Sequence, residues 1–103
     1  MDAVLRALAD ENRRRIVALV WGEDRTAGEV AARFAMTRPG VSQHLKVLLD
    51  AGVVSVRAEG TRRYYRANRA QVRQARMLLA QFWDDRLRRL KILAEAEVRK
   101  EGT

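Results

Sequence analysis

The stretch RPGVSQHLKVLLDAG, Arg38 to Gly52, sets a proline and a glycine at the head of a segment that otherwise reads as a helix. Proline is tolerated in a first helical turn, where backbone N–H groups have no intrahelical partner. Thr37 can cap this helix. The residue before a proline avoids helical angles, so Arg38 can cap it instead, and the start stays open by one residue. At 100° per residue, Val41, Leu45, Leu48 and Leu49 gather on one face and form the buried side. Pro39, Gln43, Lys46 and Val47 lie opposite, with Ser42 and His44 on the flanks, and Ala51–Gly52 closes the helix. The result is a helix with a rigid, nearly bare first turn and a polar outer face.

Upstream, the spacing predicts three shorter helices. Val4, Leu5 and Leu8 share a face of the first. Asp10 is a good N-cap for the second, in which Ile16, Leu19 and Val20 line one side and which Gly22 ends. Thr26 and Glu29 have the spacing of a capping box, so a third helix starts at Thr26, buries Val30 and Phe34, and stops near Ala35. The run Arg13–Arg14–Arg15 reads as a solvated helix face.

Downstream, Val54, Val56 and Ala58 alternate with Ser55, Arg57 and Glu59, the pattern of a half-buried strand. Glu59–Gly60–Thr61 makes a tight turn, and Arg63 to Ala67 returns as a second strand. Tyr64 and Tyr65 point to opposite faces there, one toward the core and one along the hairpin. From about Asn68 to Lys100 a single helix follows, with apolar residues that include Val72, Leu79, Phe82, Trp83, Leu87, Leu90, Leu93 and Ala96. A helix of ~30 residues spans ~45 Å, more than a small domain needs to cover itself. Its apolar residues spread wider than one stripe, and a second copy of the chain is the simplest cover for them. Phe82 and Trp83 read as the centre of that interface, with a ligand pocket as the alternative.

Charge follows the same division. The chain of 103 residues has a net charge of +8. Residues 1–52 carry +1, residues 70–103 carry +3, and the short stretch 53–69 carries +4 from Arg57, Arg62, Arg63, Arg66 and Arg69 against Glu59. A basic patch of this density attracts a polyanion, nucleic acid before an anionic membrane. No apolar run is long enough to span a bilayer and no signal-peptide pattern stands at Met1, so a cytoplasmic protein without a membrane partner is expected. The chain contains no cysteine, which excludes disulfides and thiolate metal sites. With a single histidine there is no credible nucleophile–base pair, and no catalytic residue is assigned.

Helices, a fourth helix with an outward polar face, then a basic hairpin: this order is a winged helix-turn-helix, a mainly α fold with a small β-hairpin and a long C-terminal dimerisation helix. One domain is expected over 1–103, with the helix-turn-helix at about 26–51, the wing at about 53–68 and the dimerisation helix at about 69–100. The fourth helix is then a recognition helix, whose N-terminal residues enter the major groove of double-stranded DNA. Thr37 and Pro39 stand at its tip, and Gly40 allows close approach of the backbone. Gln43 can pair bidentately with adenine, and Arg38 or Lys46 with guanine. His44 reads equally as a backbone hydrogen-bonding residue at the edge of the apolar face and as a phosphate or base contact. Arg57, Arg62 and Arg63 are the wing's candidates for the adjacent phosphates. A sequence-specific DNA-binding regulator, dimeric on a near-palindromic operator, is the expected function. A protein–protein adaptor reusing the fold is the alternative. RNA is disfavoured because its A-form major groove excludes a helix.

LADENRRRIVALV, TAGEVAARFAMTRPGVSQHLKVLLDAGVV and EGTRRYYRAN resemble the ArsR/SmtB family of bacterial transcriptional repressors. The resemblance covers roughly Val4 to Leu93. It implies a homodimeric repressor paired through the first and last helices, hence through Val4, Leu5 and Leu8 together with Leu79, Phe82, Trp83, Leu87 and Leu90. It also implies DNA contacts at Arg38, Pro39, Ser42, Gln43, Arg62 and Arg63. Metal-sensing members place a C-x-C pattern in the third helix, where this chain has Thr26 and Gly28, and the Asp/His pairs that others use on the last helix are missing. Neither a metal nor another cofactor is therefore expected, which leaves a small-molecule or protein effector of unknown identity, or simple autorepression.

Overall fold

The computed structural model describes residues 1–101, the side chains of 100 and 101 aside. Gly102 and Thr103, the last two residues of the expected domain, lie outside the described residues. The elements are α1 (Asp2–Leu8), α2 (Glu11–Leu19), α3 (Ala27–Ala32), α4 (Arg38–Asp50), β1 (Val54–Glu59), β2 (Arg62–Ala67) and α5 (Arg69–Glu101). The described residues form two compact units, one over residues 1–73 and one from residue 74 onward.

Local chemistry accounts for the ends of the helices in the first unit. Asp10 Oδ1 accepts the N–H of Arg13 at 3.0 Å and starts α2. Thr26 Oγ1 accepts the N–H of Glu29 at 3.1 Å and the Glu29 carboxylate reaches back to the Thr26 N–H, completing the capping box. At α4 the open start resolves to Thr37, whose Oγ1 accepts the N–H of Gly40 at 3.2 Å. The end of α4 is a Schellman motif. Gly52 takes φ +77°, its N–H bonds to the Leu49 carbonyl, and the Val53 N–H bonds to the Leu48 carbonyl at 2.9 Å. Val53 and Leu48, the pair that this motif brings together, are both fully buried.

Arg14 and Arg15 of α2 lie on the expected solvated face, but Arg13 and Arg14 also do structural work there. Arg13 Nε donates to the Ala7 carbonyl at 2.6 Å, Arg13 Nη2 to the Arg6 carbonyl at 3.1 Å, and Arg14 Nη1 to the Leu8 carbonyl at 2.9 Å. These carbonyls close α1, where Arg6 also accepts the Ala9 N–H at 3.2 Å, so two guanidinium groups cap the end of one helix from the next. Arg14 and Arg15 both remain exposed, Arg15 paired with Glu11, and only Arg13 is half-buried. Helix α2 ends at Leu19, three residues before Gly22, and Arg25 Nε caps it through the Leu19 carbonyl at 2.8 Å.

The core of this unit is aliphatic. Ile16, Val20, Val30, Val41, Leu45, Leu48 and Val53 are fully buried, with Val17, Val54 and Ala67 close behind. At ~1.5–3 kcal/mol for each large side chain removed from water, this cluster fixes α2, α3 and α4 on one another. Phe34 lies just past the end of α3 and is only half-buried, as is Leu49.

The hairpin departs from the expected half-buried strand. In β1 only Val54, at the root and opposite the buried Ala67, is buried; Val56 is 41% exposed and Ala58 is exposed. A two-stranded sheet that projects from the helices has nothing to cover its outer length, so the alternation of Val56 and Ala58 with polar residues does not become burial. Tyr64 and Tyr65 are both half-buried, and neither is core. The strands pair antiparallel, Val54 opposite Ala67 through Glu59 opposite Arg62, and Gly60 at φ +62° turns the tip. At the base, Asn68 accepts the N–H of Gln71 as the cap of α5 and donates through Nδ2 to the Gly52 carbonyl at 3.2 Å.

The second unit is the remainder of α5. Leu79, Phe82, Trp83, Leu87, Leu90 and Leu93 are between 45% and 61% exposed. Phe82 and Trp83 meet edge to face at 5.7 Å, and the Arg86 guanidinium lies over the Phe82 ring at 5.1 Å.

Candidate nucleic-acid interface

Thr37, Arg38, Pro39, Ser42, Gln43 and Lys46 are all exposed, and they occupy the outer surface and first turn of α4. Gly40 is half-buried for a local reason. A Cβ built on it would stand 3.2 Å from Thr37 Oγ1 and 3.5 Å from Met36 Cε, so the missing side chain makes room for the cap itself.

A cleft of about 690 Å³ joins this turn to the hairpin. Its walls include Thr26, Gly28 and Glu29 of the α3 start, Arg38 and Ser42 of α4, and Arg62, Arg63 and Tyr65 of β2. Four of the expected contact residues from two separate segments, Arg38, Ser42, Arg62 and Arg63, therefore meet across one concave surface. The Arg38 guanidinium lies along the first turn of α3, its carbon 3.8 Å from where a Gly28 Cβ would be. Thus Gly28 is the floor on which Arg38 rests. Among the described residues no carboxylate lies within ion-pair distance of Arg38, Lys46, Arg62 or Arg63. Three of these cations, Arg38, Arg62 and Arg63, line the groove against the single carboxylate of Glu29, so its field is net positive.

Arg57 stands apart from that group. Its Nη1 donates to Asp24 Oδ2 at 2.7 Å, its Nη2 reaches Glu59 at 3.4 Å, and its guanidinium covers the Tyr64 ring at 4.7 Å. Its charge is already compensated, and it does not line the cleft. The pairing register puts Arg57, Arg62, Tyr64 and Arg66 on one face of the hairpin and Arg63 and Tyr65 on the other, so Arg57 is set apart by its carboxylate partners and not by its face. His44 is half-buried and also outside the cleft. The Asp10 carboxyl that caps α2 is held below the ordinary carboxylate value, first by the Arg13 N–H and further by the Arg13 charge.

On the candidate dimer surface, Val4 is 4% exposed. It is part of the interior of its own chain and has almost no surface left to offer a partner. Leu5 and Leu8 are half-exposed, and the five expected residues of α5 are open.

The residues that sequence reasoning missed are those that hold the wing. Asp24 accepts two bonds from Arg66, Nε at 2.9 Å and Nη2 at 3.1 Å, besides the one from Arg57. Next to it, the backbone of Arg25 exchanges both hydrogen bonds with Tyr65, at 3.1 and 2.8 Å, forming a one-residue third strand. The side chain of Arg69 donates to the Trp21 carbonyl and lies over the Trp21 ring. Asp24 stands 33 and 42 residues from its partners, so no local spacing announces it.

The comparisons with known proteins agree with this geometry. Residues 8–57 match the model of a helix-turn-helix domain. The transcriptional repressor SdpR of Bacillus subtilis is 40% identical over 66% of this chain and 76% of its own length. The HTH-type transcriptional regulator Rv2034 of Mycobacterium tuberculosis is 42% identical over 80% and 77%. Among solved structures, one described as a possible transcriptional regulator for arsenical resistance superposes with a TM-score of 0.75 at 40% identity, covering 87% of this chain and 93% of that one. The homodimeric winged helix-turn-helix domain of a possible ArsR-family regulator from Mycobacterium bovis superposes with a TM-score of 0.67 at 32% identity, over 82% and 77%. The cleft between recognition helix and wing, the order of the elements and these relatives lead to one conclusion: the chain belongs to the ArsR/SmtB family of winged helix-turn-helix transcriptional regulators.

Proposed function

We propose that the protein is a homodimeric repressor that binds a near-palindromic DNA operator. The observation that carries this reading is the cleft in which Arg38 and Ser42 of α4 face Arg62 and Arg63 of the wing, the three arginines having no carboxylate within ion-pair distance among the described residues. In this reading α4 enters the major groove, where Gln43, Arg38 and Lys46 reach base edges from the exposed helix surface. Thr37, Pro39 and Gly40 form its compact tip, and Ser42 reaches a phosphate. Arg62 and Arg63 hold the neighbouring backbone. Arg57 and His44 contribute through the wing and the helix packing instead of through DNA. The parts work as one module, with a reading head at about 26–51, a wing at about 53–68 and a dimerisation helix at about 69–100.

Dimerisation is supported by the exposed apolar residues of α5 and by the homodimeric state of the Mycobacterium bovis relative. Leu5 and Leu8 join Leu79, Phe82, Trp83, Leu87 and Leu90 on the interface. Repression follows the sense of the Bacillus subtilis relative. With no cysteine and one histidine, the chain cannot build the thiolate or multi-imidazole site that a soft metal needs. Its signal is then a small molecule, a partner protein or its own concentration. None of its described helices is long and apolar enough to cross a membrane. The site of action is the cytoplasm, where the DNA is.

Footprinting on the protein's own promoter region, with excess non-specific DNA and a promoter–reporter in parallel, tests the reading. Protection of a symmetric site together with reduced reporter output is expected. Protection with raised output would make the protein an activator. No protection anywhere would favour an adaptor.

A further inference from the structure

The wing carries four arginines on its two strands, and the structure divides them into two classes. Arg62 and Arg63 have no carboxylate within ion-pair distance among the described residues, while Arg57 and Arg66 are both held by Asp24. Asp24 belongs to neither strand. It stands in the loop between α2 and α3, and its side chain is only 18% exposed, against 50% for Arg57 and 66% for Arg66. One carboxylate thus reaches one arginine on each strand, on the same face of the hairpin. The next residue, Arg25, is hydrogen-bonded through its backbone N–H and carbonyl to Tyr65. The dipeptide Asp24–Arg25 clamps the wing twice, once by backbone pairing and once by charge.

We propose that Asp24 is a positioning and specificity-determining residue for DNA recognition: it fixes the wing against the helical body through Arg57 and Arg66, and it withholds those two cations from DNA phosphates. The wing then presents Arg62 and Arg63 alone. This inference rests on the reading of the wing as a DNA-phosphate grip.

Its consequence runs against the usual effect of losing an ion pair. Phosphate contacts add affinity for every sequence alike, whereas base contacts distinguish sequences. A wing in which Arg66 is freed and Arg57 keeps only its 3.4 Å pair with Glu59 therefore binds random DNA more tightly, while its looser seating weakens the match to the operator. Each phosphate neutralised adds about 0.9 to the slope of log affinity against log salt, so one freed arginine per subunit, two in a dimer, steepens it by ~2 units. Asp24 trades non-specific affinity for discrimination.

The experiment is a salt titration of the full chain on operator and on scrambled DNA. Asp24→Asn is expected to bind scrambled DNA several-fold more tightly at low salt, with a steeper slope and a reduced operator-to-scrambled ratio. Glu11→Gln removes an equal charge from an exposed pair with Arg15 and should change neither slope nor ratio. Asp24→Glu keeps the carboxylate and should restore most of the ratio. Arg57→Gln with Arg66→Gln loosens the wing without freeing a cation, so operator binding should fall with no gain on scrambled DNA. This double variant also tests the positioning half of the inference if Asp24→Asn does not fold. An unchanged ratio and slope in Asp24→Asn, with Arg62→Ala and Arg63→Ala flattening the slope, would overturn the role of Asp24 alone. If the Arg62 and Arg63 changes also leave the slope unmoved, the wing is not a phosphate grip and the underlying reading fails with it.

Discussion

Thr37 and Gly40 share one small space: the hydroxyl that accepts the Gly40 N–H at 3.2 Å would stand 3.2 Å from any Cβ added to Gly40. The cap and the glycine therefore depend on each other. Glycine within a helix ordinarily costs about 0.5–1 kcal/mol relative to alanine. Here Gly40→Ala is expected to lose that gain against the crowded hydroxyl, and to be neutral or destabilising by about 1 kcal/mol. Thr37→Ala should cost about 1 kcal/mol through the lost cap. In the Thr37→Ala background the crowding atom is gone, and Gly40→Ala should then stabilise by ~0.5–1 kcal/mol. Urea denaturation of the four proteins measures the cycle, and additive effects would show that the two residues are independent.

Acid should act on the wing anchor. The Arg66 guanidinium bonded to Asp24 holds its carboxyl below the ordinary value of 3.8, and the charges of Arg66 and Arg57 add to this. Folding thus lowers this pKa, so the contribution of the ion pair is complete above about 3.9, the ordinary range for the unfolded chain, and disappears as pH falls through the lower folded value. Wild type should exceed Asp24→Asn in stability at neutral pH, and the gap should narrow below about pH 4 and close in stronger acid. Urea midpoints of both proteins across that range check it. A gap that persists unchanged in acid would assign the effect of the substitution to something other than charge.

The helix α5 should hold two copies together. The chain is expected to sediment as a dimer at about 1 μM. Trp83→Lys with Leu90→Lys, two positions that are 58% and 61% exposed in one copy, should give monomers whose helical circular dichroism is largely retained. Val4→Ala should act instead on the stability of the monomer fold, because Val4 is interior. A folded, monomeric wild type would remove the dimer from the proposed mechanism.

Stoichiometric Zn²⁺ or Cd²⁺ should leave operator affinity unchanged. Among the described residues no cluster of three or more His, Cys, Asp or Glu side chains is placed to hold a metal, and Gly28, at a position where metal-sensing members carry cysteine, is the floor under Arg38. Calorimetry and a DNA shift assay with and without the ion would show it. Tight binding coupled to DNA release would overturn the assignment of a non-metal signal.

Much of this architecture can be read in one dimension because its determinants are short-range. The Thr26–Glu29 box, the Asp10 and Thr37 caps and the Gly52 turn each operate within five residues, and their bonds are found as the spacing predicts. The recognition helix is legible for the same reason, since Val41, Leu45 and Leu48 repeat at helical spacing and are buried together. Two kinds of feature were not. Burial of a strand depends on what covers it, and the alternation through Val56 cannot reveal that the hairpin leaves the helical body after Val54. Charge pairing over 33 and 42 residues depends on the finished fold, so Arg57 reads as a free cation until Asp24 is placed beside it. The arginines of α2 show the same limit, because their partners are carbonyls, which every residue has.

The proposed division of labour between α4 and the wing makes the sharpest demand on the molecule. Gln43 is exposed on the outer side of α4, while Arg62 and Arg63 line the cleft from β2. A bidentate contact from Gln43 to adenine would distinguish bases, so Gln43→Ala should cost ~1–3 kcal/mol on the operator and little on random DNA. Arg62→Ala with Arg63→Ala should weaken binding to both. Each subunit then releases about two phosphates and the dimer about four, which should flatten the log–log salt slope by ~3–4 units. Two-fold symmetry also requires half-sites one helical turn or a multiple apart, ~10 bp or more between centres. Salt titrations of wild type and both variants on operator and scrambled DNA separate the roles. Equal losses on both DNAs for Gln43→Ala would show that α4 is not the reading element. An unchanged slope in the double arginine variant would show that the wing does not grip phosphates, and the register of the hairpin, which puts Arg62 and Arg63 on opposite faces, would then point to one of them reading a groove instead.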